Sequence, residues 1–221
     1  YQLEESYKAT GLIGASVPAT EHSVMCMGQK ESEIDTFSRL LKLYPTGILS
    51  VVSDTWDLWK VCTEYLPQLK EEILARNGKL VIRPDSGDPV DIICGIPFKV
   101  LKSIYDFNGE IGDVISINGR LYKATHIIKE HFQGNEYGFK EVFYNSSESK
   151  GVIELLWDTF GGTINEQGYK VLDSHIGCIY GDSITLERAE QICERLKAKG
   201  FASTNWVAGV EIGRASCRER V

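Results

Sequence analysis

The 221-residue sequence lacks a Cys-X-X-Cys pair, an excess of basic residues, and any apolar run near the ~20 residues of a membrane span. Each absence excludes a class of protein. The six cysteines, Cys26, Cys62, Cys94, Cys178, Cys193 and Cys217, are scattered, which argues against a zinc site or a compact disulfide framework and for reduced thiols in the cytoplasm. A net charge of -7 argues against nucleic-acid and anionic-membrane partners, because those surfaces need a basic field. The first ten residues, YQLEESYKAT, have no signal-peptide core. Also missing are the phosphate loop GxxxxGK[ST], the dinucleotide fingerprint GxGxxG, the metalloprotease HExxH and the hydrolase GxSxG. What remains is 43% hydrophobic and 25% charged, the balance of a soluble globular chain long enough for one large domain, or one domain plus an insert.

The most informative stretch is residues 80–89, LVIRPDSGDP. Leu80, Val81 and Ile82 suit a buried strand of a parallel sheet, whose carboxyl end would present Arg83 and Asp85 where α/β folds keep their ligand-binding groups. Pro84 biases Arg83 towards extended geometry, Gly87 permits a turn, and Asp88-Pro89 reads as an N-cap and first helical residue. The same ten residues also suit a surface loop with a solvated Arg/Asp pair, and alone they do not decide.

Elsewhere the pattern recurs. Residues 10–23 (TGLIGASVPATEHS) have the glycines, proline and small side chains of a loop that a ligand can approach closely. Helical spacing follows over residues 31–43, 55–65 and 68–76, and a strand over 48–52 runs into Ser53-Asp54. Residues 89–94 begin a helix that falters at Gly95. Between 96 and 145 the texture changes: two strand patterns flank Asn118-Gly119, a strong hairpin signal, and predict a small antiparallel β insert. A helix over 151–160, a short strand near 169–172 and the apolar run 175–180 ending at Gly181-Asp182 come next. Thr185 then caps a helix ending at Gly200, with Leu186, Ala189, Ile192, Cys193 and Leu196 as its apolar face, and Trp206-Val207 starts another strand. Strands separated by helical crossovers imply a parallel sheet, and three of them end in an acid. Acids, one arginine and one histidine around glycine-rich turns fit a phosphorylated, polyhydroxylated ligand.

Four ordered segments, SVPATEHS (residues 16–23), SVVSDTWD (50–57), VIRPDSGDP (81–89) and YGDSI (180–184), together resemble the nicotinamide phosphoribosyltransferase family. The resemblance implies an α/β fold: a partial β/α barrel of the type II phosphoribosyltransferase kind, with residues 1–95 as its first part, 96–148 as the insert, 149–210 as its continuation and 211–221 as a non-native tail. It implies an enzyme, a pentosyltransferase that joins nicotinamide to phosphoribosyl pyrophosphate with Mg²⁺, giving nicotinamide mononucleotide and pyrophosphate for NAD salvage. ATP is implied as an activating co-substrate, a homodimer as the assembly and the cytoplasm as the location. By motif position, His22 would be the catalytic residue and is transiently phosphorylated, with Asp54 beside it in a metal-holding or orienting role. Arg83, Asp85, Gly181 and Asp182 would bind the phosphoribosyl and pyridine groups, and Ser16, Val17, Ala19 and Val81 would line the nicotinamide channel. The 221 residues alone are expected to make little or no mononucleotide. A nicotinate phosphoribosyltransferase and a non-catalytic nucleotide- or partner-binding fragment remain the alternatives.

Overall fold

The computed structural model describes residues 17–129, 135–180 and 184–209. Among them the strands are, in chain order, β1 (Thr46–Val52), β2 (Asn77–Arg83), β3 (Phe98–Val100), β4 (Val114–Ile117), β5 (Arg120–Lys129), β6 (Glu136–Val142), β7 (Gly162–Ile164), β8 (Lys170–Leu172), β9 (Ile176–Tyr180) and β10 (Trp206–Ala208). The expected parallel sheet is present: β1, β2, β9 and β10 lie side by side in that order, each pair parallel. The registers align Val52 with Arg83 and Ile82 with Cys178, so the strands finish along one edge. Their apolar, β-branched runs suit burial on both faces. Leu49, Val51, Val52, Leu80, Ile82, Ile176, Cys178 and Tyr180 are all exposed by 2% or less. The architecture is therefore mixed α/β.

The segment before His22 extends the sheet beyond β1. Ala19 bridges Ser50 in parallel, with Thr20 N donating to Ser50 O at 3.0 Å and Ser50 N to Pro18 O at 2.9 Å. The predicted loop over 10–23 ends earlier than expected, because His22–Cys26 is a short helix.

The helix Glu33–Leu43 buries Phe37, Leu40 and Leu41. The helix predicted from residue 55 begins instead at Leu58, because the Asp57 side chain accepts from Lys60 N at 3.1 Å and caps it there. Helical structure then runs on through Pro67, which occupies a first-turn position where its missing N–H costs no hydrogen bond. Asp88 caps the helix Pro89–Cys94 as expected, accepting from Val90 N at 2.9 Å and Asp91 N at 3.3 Å. Thr185 likewise caps Leu186–Ala198, accepting from Arg188 N. One part of that helix's predicted apolar face is wrong: Ile192 and Leu196 are buried, but Leu186 is 77% exposed. It lies in the first turn, where no described element covers it.

The second sheet has the order β3-β4-β5-β6. Asn118 (φ 51) and Gly119 (φ 79) make the β4–β5 hairpin turn, as their identity predicts. The sheet is mixed, since β3 joins β4 in parallel. Its two ends are pinched together: Ile96 N donates to Glu148 O at 2.9 Å. A Cβ on Gly151 would lie 2.2 Å from Gly95 N, which demands glycine there. Among the described residues no helix is long and apolar enough to cross a membrane.

Candidate active site at the carboxyl edge of the parallel sheet

Strand pairing brings residues distant in sequence to one rim. β1 ends at Val52 and β2 at Arg83, and Ser53 N donates to Arg83 O at 3.1 Å, holding the two exits together. Just beyond, one oxygen of Asp54, Oδ2, accepts three hydrogen bonds: from Asp85 N at 2.8 Å, Ser86 N at 2.7 Å and Ser86 Oγ at 2.6 Å. A carboxylate accepting several donors is a strong anchor. Asp54 thus organises the turn that carries Asp85.

His22 stands over this turn. Its Nε2 lies 3.7 Å from Asp85 Oδ2 and its Nδ1 3.1 Å from Thr55 Oγ1. The ring is about half exposed and reachable by a ligand, while the two contacts restrict its orientation. Thr20, two residues before His22, accepts from Val52 N at 2.9 Å, which ties the segment preceding the histidine to the end of β1.

Three polar atoms at or beneath this rim are buried without a hydrogen-bond partner among the described residues: Asp54 Oδ1, Arg83 Nε and Glu33 Oε1. Such atoms are costly unless something satisfies them. Burial, then the nearby Asp57 and, least, Asp54 together push the Glu33 carboxyl up to about 7 against the opposing pull of Lys60 and Lys30. From the end of β9, the Tyr180 hydroxyl donates to Gly87 O at 3.0 Å. Burial pushes that phenol up to about 12, with Asp54, Asp85 and Asp88 adding to the shift, so it remains a donor at any ordinary pH.

The structure therefore brings together His22, Asp54, Arg83 and Asp85. Ala19 sits on the adjoining segment paired to β1, with Val17 just before it. Val81 lies within β2, 8% exposed and aligned with Ser50 and Gly177. Ser16, Gly181 and Asp182 lie outside the described residues. Sequence reasoning missed Thr55, Ser86, Tyr180 and Glu33. Thr55 and Ser86 were findable as hydroxyls next to the singled-out acids. Tyr180 and Glu33 carried no local signal.

The donor set also bears on a divalent cation. Mg²⁺ is typically held by one or two carboxylates, with substrate phosphates and water completing six positions. Asp54 fits as one such ligand through Oδ1, which has no hydrogen-bond partner among the described residues. Among the described residues no group of three or more His, Cys, Asp or Glu is placed to hold a metal without substrate.

Comparison with known proteins places these residues in a wider context. The sequence profile of the nicotinate phosphoribosyltransferase (NAPRTase) family matches residues 5–212. A protein of Acinetobacter baylyi named nicotinamide phosphoribosyltransferase is 45% identical over 214 residues, covering 94% of this chain and 34% of its own length. Proteins of the same name from Mycoplasma pneumoniae and Xanthomonas campestris pv. campestris are 38% and 28% identical, over 90% and 94% of this chain. The chain thus spans about a third of the length of the curated relatives it matches.

Proposed function

The chain belongs to the nicotinate phosphoribosyltransferase family, and on that footing we propose that the protein containing it joins nicotinamide to phosphoribosyl pyrophosphate in NAD salvage. The observation that carries this reading is the convergence of His22, Asp54, Arg83 and Asp85 on one sheet edge, with Asp54 Oδ1 and Arg83 Nε buried and without a partner among the described residues. An acid and a guanidinium left unsatisfied at a rim suit a ligand that supplies both hydroxyl donors and phosphate or amide acceptors.

In the proposed reaction the pyridine nitrogen attacks ribosyl C1. The N–C1 bond forms as the C1–O bond to pyrophosphate breaks, and the electron pair leaves on pyrophosphate. The products are nicotinamide mononucleotide and pyrophosphate, and no proton transfer is needed. Asp85 holds the ribose hydroxyls, aided by Gly181 and Asp182 beyond β9. Arg83 meets the pyridine amide and phosphoribosyl group with its planar fork, and Ser16, Val17, Ala19 and Val81 line the nicotinamide channel. Positioning of this kind lowers a barrier by fixing the reacting ends in line. Asp54 would hold Mg²⁺ through Oδ1 and keep the Asp85 turn in place through Oδ2. The bound ion would neutralise charge developing on the departing pyrophosphate.

His22 is the group that ATP phosphorylates in the coupled cycle. Thr55 at Nδ1 leaves Nε2 as the nitrogen facing Asp85 and the ligand. On the same reading the four-stranded sheet is part of a β/α barrel of the type II phosphoribosyltransferase kind. Residues 1–95 and 149–210 belong to that barrel, 96–148 form an insert, and the protein acts as a cytoplasmic homodimer. The family's own description favours nicotinate as a second reading; turnover of the two pyridines by the full-length protein separates them. The decisive variant is Asp85→Ala in that protein. We expect nicotinamide mononucleotide formation to fall roughly 10- to 100-fold, the worth of a hydrogen bond to a charged group. Unchanged formation would overturn the assignment.

A further inference from the structure

The turn after β2 is held without strand pairing. The amides of Asp85 and Ser86 donate to Asp54 beyond β1, and the carbonyl of Gly87 accepts from Tyr180 at the end of β9. Three consecutive residues are thereby fixed from both neighbouring strands. Gly87 has φ +90, a conformation a residue with a Cβ resists, so the turn has few alternatives once its carbonyl is held. Tyr180 is 2% exposed, and its strand is fixed on both sides by β2 and β10. Its hydroxyl is therefore a rigid post.

We propose that Tyr180 is a positioning residue that, together with Asp54, locks the Asp85 turn in the geometry that receives the sugar of the substrate. It acts through Asp85, which lies 3.7 Å from His22, and not by touching the reacting atoms. The catalytic consequence rests on the proposed function, while the locking of the turn does not.

Tyr180→Phe in the full-length protein removes the hydroxyl and keeps the ring; Tyr180→Met keeps bulk without ring or hydroxyl if the first variant folds poorly. Two readouts are needed. Amide hydrogen exchange at Asp85 and Ser86 should quicken about three- to tenfold, the worth of one neutral hydrogen bond, while amides of Leu80 and Ile82 stay protected. Unchanged exchange at Asp85 and Ser86 would overturn the lock. The KM for phosphoribosyl pyrophosphate should rise by a similar factor with kcat little altered. An unchanged KM alongside quickened exchange would refute the catalytic consequence and leave the lock standing. If the unmodified full-length protein forms no mononucleotide, the proposed function fails while the exchange measurement still decides the lock.

Discussion

The parallel sheet and the β3–β6 sheet use similar residues to opposite ends. In β1, β2 and β9 both faces are covered: successive residues from Leu49 to Ser53, and from Leu80 to Ile82, are all buried. In β3–β6 the buried positions are Val114, Ile115, Ser116, Ala124 and Gly138, while nearby Tyr105 is 94% exposed, Phe143 87% and Val100 76%. A strand packed on both faces cannot shift without opening a cavity, so its end is a fixed point from which a side chain can be aimed. A sheet covered on both faces only along β4, where Val114 to Ser116 are successive buried residues, has more freedom in its other strands. His22, Asp54, Arg83, Asp85 and Tyr180 all stand at or over the edge of the doubly covered sheet, and none comes from the second one.

The contrast can be broken most directly by equal truncations. Ile82→Ala, in the centre of the parallel sheet, should cost about 2–5 kcal/mol in denaturant unfolding and lower any activity with it, because Arg83 follows immediately. Ile115→Ala should cost a comparable amount locally. Hydrogen exchange should then rise across β3–β6 with the parallel sheet still protected; a rise across both sheets would show that they unfold as one.

A smaller effect comes from Glu33, 1% exposed, whose carboxyl is raised from its usual 4.5 to about 7 chiefly by burial. Below pH 4.5 it is protonated in both folded and unfolded chains. Between pH 4.5 and 7 the folded state keeps a proton the unfolded chain has lost, so its contribution to stability declines as pH rises, and above about 7 the deficit is constant. Relative to Glu33→Gln, the native sequence should lose stability across that window. A pH-independent difference between the two in thermal melts would refute the assignment. Smallest of all, Tyr105→Ala in the short helical turn Ile104–Asp106 between β3 and β4 should change stability by less than about 0.5 kcal/mol and leave the exchange of the Asp85 turn untouched.

Much of this is legible in the sequence because it is local. The strand at 80–82, the caps Asp88 and Thr185, and the Asn118-Gly119 turn follow from the conformations those residues themselves prefer. Errors came where a neighbour overrides preference. Asp57 captured the helix start, Pro67 was absorbed into a first turn, and Leu186 kept helical spacing but is 77% exposed. The site divides the same way. Its acids could be marked as strand endings, and the family resemblance supplied the roles proposed for them.

Sequence alone thus determined the α/β alternation, the β-rich stretch set into it, and a set of acids following strands. Only the tertiary structure decided that Asp54 spends one oxygen on the Asp85 turn, 31 residues away, and that Tyr180 holds Gly87 from 93 residues away. It also decided that Glu33 is buried. The reason is physical: side-chain periodicity reports which face of a strand or helix is apolar, whereas strand order and register determine which ends meet, and those are settled by packing across the whole core.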